Sequence, residues 1–189
     1  MSQAAAKNTQ SSKFSVRDIC YTGLFAAVIA VMAQISIPMP LGVPMTMQTF
    51  AITLAAVVLG SKLSAMASLV YLILGAVGVP VLASSSGGID KFVGPTGGFL
   101  ISFPLMAYLI GLGVEHRNAF KGAFPLAVVV GTVVNYIVGV ILFVIVAHST
   151  VAVAISACVL PFIPTAIIKA VLACAIGLNI RKRIPGLKA

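Results

Sequence analysis

Residues 71–103 read YLILGAVGVPVLASSSGGIDKFVGPTGGFLISF. Both ends of this stretch are apolar enough to dissolve in lipid. Its middle holds Gly87, Gly88, Gly94, Gly97 and Gly98, a run of serines, and the neighbours Asp90 and Lys91. An apolar helix, a polar glycine-rich loop and a second apolar helix are what a membrane-spanning chain shows where it turns at one face. The chain has only three acidic residues, so one of them in this loop asks for a reason.

The rest of the chain agrees with a membrane solvent. Of its 189 residues 60% are hydrophobic and 8% charged, with mean hydropathy +1.17. Soluble domains carry about 25% charged residues. The formal net charge is +9, yet the basic residues lie in tails and short loops rather than along one face. That arrangement argues against nucleic acid and for a topology signal. A span needs about 20 mostly apolar residues. Runs at 17–37, 45–60, 63–83, 98–114, 122–147 and 151–180 therefore predict an all-α membrane protein of six transmembrane helices. The second run is short and the last two are long, so tilt or interfacial extension is expected. Residues 1–16 read as a flexible polar N-terminal tail, 17–183 as a single six-helix membrane domain, and 184–189 as a cytoplasmic tail. The first apolar run is too long for a cleaved signal peptide and reads as a retained span.

Lys and Arg accumulate in cytoplasmic connections. Lys7, Lys13, Arg17, Lys62, Arg117, Lys121, Arg181, Lys182, Arg183 and Lys188 fall on one side, and only Lys91 on the other. Both termini are thus predicted to be cytoplasmic. The outer connections around 38–48 and 84–98 are long, rich in Gly and Pro, and almost uncharged. Irregular backbone at membrane depth is tolerated only where it is buried or lines a cavity. The outer face is therefore the candidate binding face, with 84–98 as its cap and 38–48 helping to close it.

Among individual residues, Lys169 is the sharpest signal. A lysine near a helix centre costs roughly 3 kcal/mol on insertion scales, and the nearest helix end is about 18 Å away at helical rise. It should face a cavity or a partner. Asn135 and Tyr136 lie mid-span, where a side-chain amide serves either helix contacts or a ligand. Thr46 and Gln48 stand at the outer start of the second helix. Tyr71 and Tyr108 are packing or ligand-facing aromatics, and Gln34 is a weaker candidate. Asp90 reads either as a solvated partner of Lys91 or as an acceptor for a polar ligand with Lys91 at the rim. Gly87, Gly88, Gly97 and Gly98 would let the backbone bend and offer its amides to that ligand. In the first helix, Gly23, Ala26, Ala27 and Ala30 form a small-residue surface for another helix, of this chain or of a partner.

Other chemistries are excluded. No GxxxxGK[ST] motif occurs, so ATP is not bound by that device. His116 and His148 fall near opposite faces, and Cys20, Cys158 and Cys174 fit no ligand spacing and read as buried thiols. No metal, no cofactor and no enzymatic nucleophile–base pair is expected.

The stretches VPMTMQTFAITLAAVVLG, YLILGAVGVPVLASSSGGIDKFVGPTGGFLISF and LPFIPTAIIKA resemble the BioY family of biotin transport proteins. The motif residues are Gly94-Pro95-Thr96-Gly97-Gly98, Gln48-Thr49 and Pro161-Phe162, and the similarity runs from about residue 17 to 183. The resemblance implies a six-helix S component of an energy-coupling factor (ECF) transporter in the bacterial cell membrane. Such a protein captures biotin from outside and works with a transmembrane coupling subunit and two cytoplasmic ATPases. The resemblance also matches Ala26 and Ala30 to an AxxxA-like contact with the coupling subunit. Biotin also fits the residues on chemical grounds: Asp90 and Asn135 suit its ureido ring and Lys169 or Lys91 its carboxylate, and Thr46, Gln48, Tyr71, Tyr136, Gly87, Gly88, Gly97 and Gly98 complete the expected site. The family usually has Gly-Asp where this chain has Thr165-Ala166, so Lys169 lacks its expected neighbour one helical turn back. An S component for another vitamin and a passive facilitator are the rivals. If Asp90 faces the ligand, Asp90→Ala should weaken binding.

Overall fold

A computed structural model describes residues 15–39, 42–117 and 122–184. The expectations for residues 1–14, Lys121 and residues 185–189, with Lys7, Lys13 and Lys188 among them, lie outside the described residues. Helix α1 (Val16–Ala33) opens on a capping box: Ser15 N donates to Asp18 Oδ2 at 3.1 Å and Ser15 Oγ accepts from Arg17 N at 3.4 Å. One of the three acids is thereby used to finish a helix end. The loop after α1 is not wholly irregular. Ser36–Ile37 (β1) pairs antiparallel with Met45–Thr46 (β2), a two-residue ladder that the all-helical reading did not contain.

Helices α2 (Gln48–Leu59) and α3 (Ser61–Ala76) meet at a single residue, Gly60. Then follow the short α4 (Asp90–Val93), α5 (Gly97–Glu115) and α6 (Ala123–Val146). The expected last span is broken. It consists of α7 (Val151–Cys158), a 3-10 turn at Leu160–Phe162 and α8 (Ile163–Arg183). Pro161 and Pro164 lack the N–H groups that would carry one helix through this point.

Among the described residues, four segments are long and apolar enough to cross a membrane: α1, α5, α6 and the run 151–183. α2 is shorter, with 12 residues, or about 18 Å at helical rise. Every residue of α2 except Thr49 is buried, because α8, α5, α1 and α3 all pack on it. It is the axis of the bundle. Outer faces carry the apolar side chains instead: Ile137, Ile141 and Ile145 on α6, and Ile167, Ile168 and Val171 on α8, are exposed. A surface of this kind suits lipid, and the chain is an integral membrane protein.

Small residues set the closest helix approaches. A Cβ on Gly98 would lie 2.6 Å from the Val138 carbonyl, and the Phe99 ring covers Gly139. α5 and α6 can therefore pack backbone to backbone. On α1 the expectation divides. Ala26, 4% exposed, packs into the chain's own core beside Ile29 and Ala33, with Ala30 half-buried next to it. The four-residue spacing that suggested a partner surface turns that pair inward. Only Gly23 and Ala27 remain on the outside.

The joint between α2 and α3 is buried and needs partners for its free backbone groups. Glu115 Oε1 accepts from Ser61 N at 2.7 Å and from Ser61 Oγ at 2.9 Å. Arg181 Nη1 donates to the carbonyls of Val57 and Val58, each at 3.1 Å. Gly60 has φ 84° and ψ −173°, a region open to almost no other residue, and a Cβ there would sit 2.5 Å from Glu115 Oε1. Gly60→Ala should destabilise the protein by about 1–3 kcal/mol. Thermal unfolding in detergent reads this out, and an unchanged midpoint would contradict the geometry.

Candidate functional site

At the end of the bundle away from Gly60, the two irregular loops and four helices enclose a cavity of about 280 Å³. Thr46, Gln48 and Thr49 come from β2 and the first turn of α2. Phe99 and Phe103 come from α5, Asn135 and Tyr136 from α6, and Thr165, Ala166 and Lys169 from α8. The loop 82–86 and Lys91 form the rim, with Val43 and Pro44 opposite. Aromatic and aliphatic walls with a few convergent polar groups are the usual lining of a small-molecule site.

Its polar groups are held by one another. Thr46 Oγ1 donates to Gln48 Oε1 at 2.8 Å, and Gln48 Nε2 donates to Tyr71 Oη. Tyr71 is fully buried behind Gln48 and acts as the support of a wall residue, not as a wall itself. Asn135, 2% exposed, donates from Nδ2 to Ser102 Oγ at 2.7 Å and to Phe99 O at 3.1 Å. Both donors are used, so its Oδ1 is left as an acceptor at the cavity. Lys169 Nζ donates to the Thr46 carbonyl at 2.7 Å and retains two further protons.

Of the twelve residues singled out from the sequence, Thr46, Gln48, Lys91, Asn135, Tyr136 and Lys169 stand on this wall. The others do not. Asp90 has its side chain 65% exposed and pairs with Lys91 at 3.2 Å, so it lies outside the cavity. The pair is a solvated one, because α4 directs its first residue away from the bundle. Gly97 and Gly98 are buried in the first turn of α5, where they admit the Phe92 carbonyl and α6. Gly87 lies against the backbone of Gly78 and Val79, and Gly88 takes φ +109°. These glycines shape the loop and do not reach the cavity. Asp18, Glu115 and Asp90 are all the acids of the chain, and none of them lines the cavity.

Gln34, a weak candidate in sequence, organises the rim. Its Nε2 donates to the carbonyls of Ala30, Val81 and Leu82 at 2.9–3.2 Å, and its Oε1 accepts from Ser85 N at 2.8 Å and Ser85 Oγ at 3.1 Å. These bonds hold Ser84 and Ser85 at φ 57° and 53°, a left-handed conformation that costs non-glycine residues. Thr49, named in the sequence only as a motif residue, is also on the wall, and Phe99 and Phe103 are wall residues that sequence reading missed. Apolar side chains inside apolar helices give no signal of which way they face.

The comparisons with known proteins converge. The family model described as the BioY family matches residues 6–186. A "Biotin transporter BioY" of Thermotoga maritima is 41% identical over 168 residues, covering 88% of this chain and 97% of that protein. A "Biotin transporter BioY" of Rhizobium etli is 35% identical, covering 93% of this chain and 98% of that protein. Among solved structures, the S-component for biotin from an ECF-type ABC transporter matches with a TM-score of 0.80 and 27% identity. The match covers 95% of this chain and 96% of that one.

Gln34→Ala removes the bonds that hold the rim to α1. Hydrogen exchange of the segment 82–86 should then accelerate by roughly tenfold, the equivalent of about one net hydrogen bond. Unchanged exchange would mean that the loop holds its shape without Gln34.

Proposed function

The chain belongs to the BioY family, and on that premise we propose that it is the high-affinity biotin-binding S component of an ECF-type vitamin uptake transporter. The observation that carries this reading is that an unused amide acceptor, Asn135 Oδ1, and a cation, Lys169, line one cavity walled by Phe99, Phe103 and Tyr136. The ureido ring of biotin presents two N–H donors and one carbonyl. Asn135 Oδ1 accepts from the ring, and Lys169 donates to its carbonyl. The thiophane ring and alkyl chain lie along the aromatic wall, and the valerate carboxylate reaches Lys91 at the rim. Thr46, Gln48 and Tyr71 act together as a braced polar wall. Asp90 anchors Lys91 and makes no ligand contact.

The remaining parts of the reading follow from topology. Six spans are counted with α2 and α3 as two short ones, α7 and α8 together as the sixth. Both termini are cytoplasmic, by the excess of Lys and Arg on that side. The site then opens outward from a bacterial plasma membrane, and the described residues form one membrane domain. The protein is not an enzyme and needs no cofactor; biotin is its transported ligand. Energy comes from a transmembrane coupling subunit with two cytoplasmic ATPases. Gly23 and Ala27, exposed on α1, are the part of the small-residue surface open to that subunit, with Ala26 and Ala30 supporting it from within.

Calorimetric titration of biotin into detergent-purified, ligand-free protein should give one-to-one binding in the nanomolar range. Lys169→Ala should weaken it by roughly 10- to 100-fold, the worth of a hydrogen bond from a charged donor. Asp90→Ala should change it by less than about twofold, as for an exposed ion pair. No binding by folded protein would overturn the biotin assignment, and a large loss in Asp90→Ala would overturn the placement of Asp90 outside the site.

A further inference from the structure

Adjoining the cavity is a chamber of about 20 Å³, more than the roughly 10–15 Å³ that one water needs. Thr49, Asn135, Tyr136 and Lys169 belong to both walls, while Thr53 and Thr132 face the chamber alone. Its polar chemistry leans toward donors. Lys169 brings a positive charge and two uncommitted protons beyond its bond to Thr46 O. Thr53 is 3% exposed, and its hydroxyl has no partner among the described residues, as is true of Thr49 Oγ1 and Tyr136 Oη. Thr132 already donates to Val128 O at 2.8 Å. With that proton spent, Thr132 Oγ1 and Asn135 Oδ1 are the acceptor-only groups of the chamber. The three acids of the chain are held elsewhere, at Ser15, Ser61 and Lys91.

A cation within an apolar bundle needs a counter-charge or a set of acceptors. Lys169 has a single backbone carbonyl. The ligand carboxylate, at Lys91, is at the other end of the cavity in the reading above. We infer that the chamber is a site for a small monovalent anion of chloride size, held by Lys169, Thr49, Thr53 and Tyr136 beneath the bound ligand. The anion neutralises Lys169 and turns the three hydroxyls inward as donors. It thereby leaves Asn135 Oδ1 and the outer proton of the ammonium group to the ligand. The co-binding part rests on the biotin reading; the anion site itself rests on the chamber.

Two measurements test it. Crystals grown with bromide as the only halide, with and without biotin, should give an anomalous peak in the chamber beside Lys169 and Thr53. Density for water alone overturns the site. Biotin titrations in chloride and in gluconate at equal ionic strength should differ, with affinity roughly tenfold weaker in gluconate. Thr53→Val should abolish that difference and Thr53→Ser retain it. Equal affinity in both salts, tighter binding in gluconate, or a difference that survives Thr53→Val overturns the co-binding. Should biotin bind in neither salt, the ligand reading fails, and the bromide peak in ligand-free crystals still decides the anion site.

Discussion

A helix end buried away from water must find partners for backbone groups that the helix itself cannot satisfy. In this protein that constraint bears on one residue, Gly60, where two helices meet with nothing between them. Glu115 supplies the acceptor for the start of α3, and Arg181 supplies the donors for the end of α2. These two charges come from the far ends of α5 and α8, so one turn ties four helices together. Because α2 is buried along its length, its position cannot drift. Thr46, Gln48 and Thr49 are therefore presented to the cavity from a fixed post, and Lys169 can find the Thr46 carbonyl.

The same economy of charge explains the site. A chain with three acids uses one to cap α1, one to cap α3 and one to hold Lys91. Nothing acidic is left for the interior. Much of the polar work inside the cavity falls to two amides braced by second partners: Gln48 by Tyr71, Asn135 by Ser102 and Phe99. Such groups keep their orientation without a ligand, which lowers the ordering cost of binding.

The architecture was legible in the sequence where its signal was local. Lys169 in an apolar run, Asn135 mid-span, and Thr46 and Gln48 at a helix start each stand out from their neighbours, and all reach the cavity wall. What was not legible depends on facing. In a membrane bundle both the packed and the lipid-facing sides of a helix are apolar, so periodicity does not say that Ala26 points inward or that Phe99 and Phe103 line a cavity. An acid in a glycine-rich loop looks the same whether it turns in or out, so the sequence leaves both readings of Asp90 open, and the structure shows it exposed and paired with Lys91. Gln34 was underrated because its bonds go to backbone more than forty residues away. Pro161 lay in plain view, but hydropathy alone ran the last two helices together.

The break at Pro161 has an electrostatic consequence. It places the first turn of α8, with Phe162, Thr165 and Ala166, at the cavity wall. A helix start carries about half a positive charge from its aligned peptides. Added to Lys169, and opposed by no acid on the wall, it makes the anion-free cavity a region of positive potential, while Lys91 at the rim is balanced by Asp90. Organic cations of suitable size and shape would be turned away by repulsion before any contact is formed. Discrimination of this kind requires no clash and no dedicated residue; it follows from where a helix was allowed to begin.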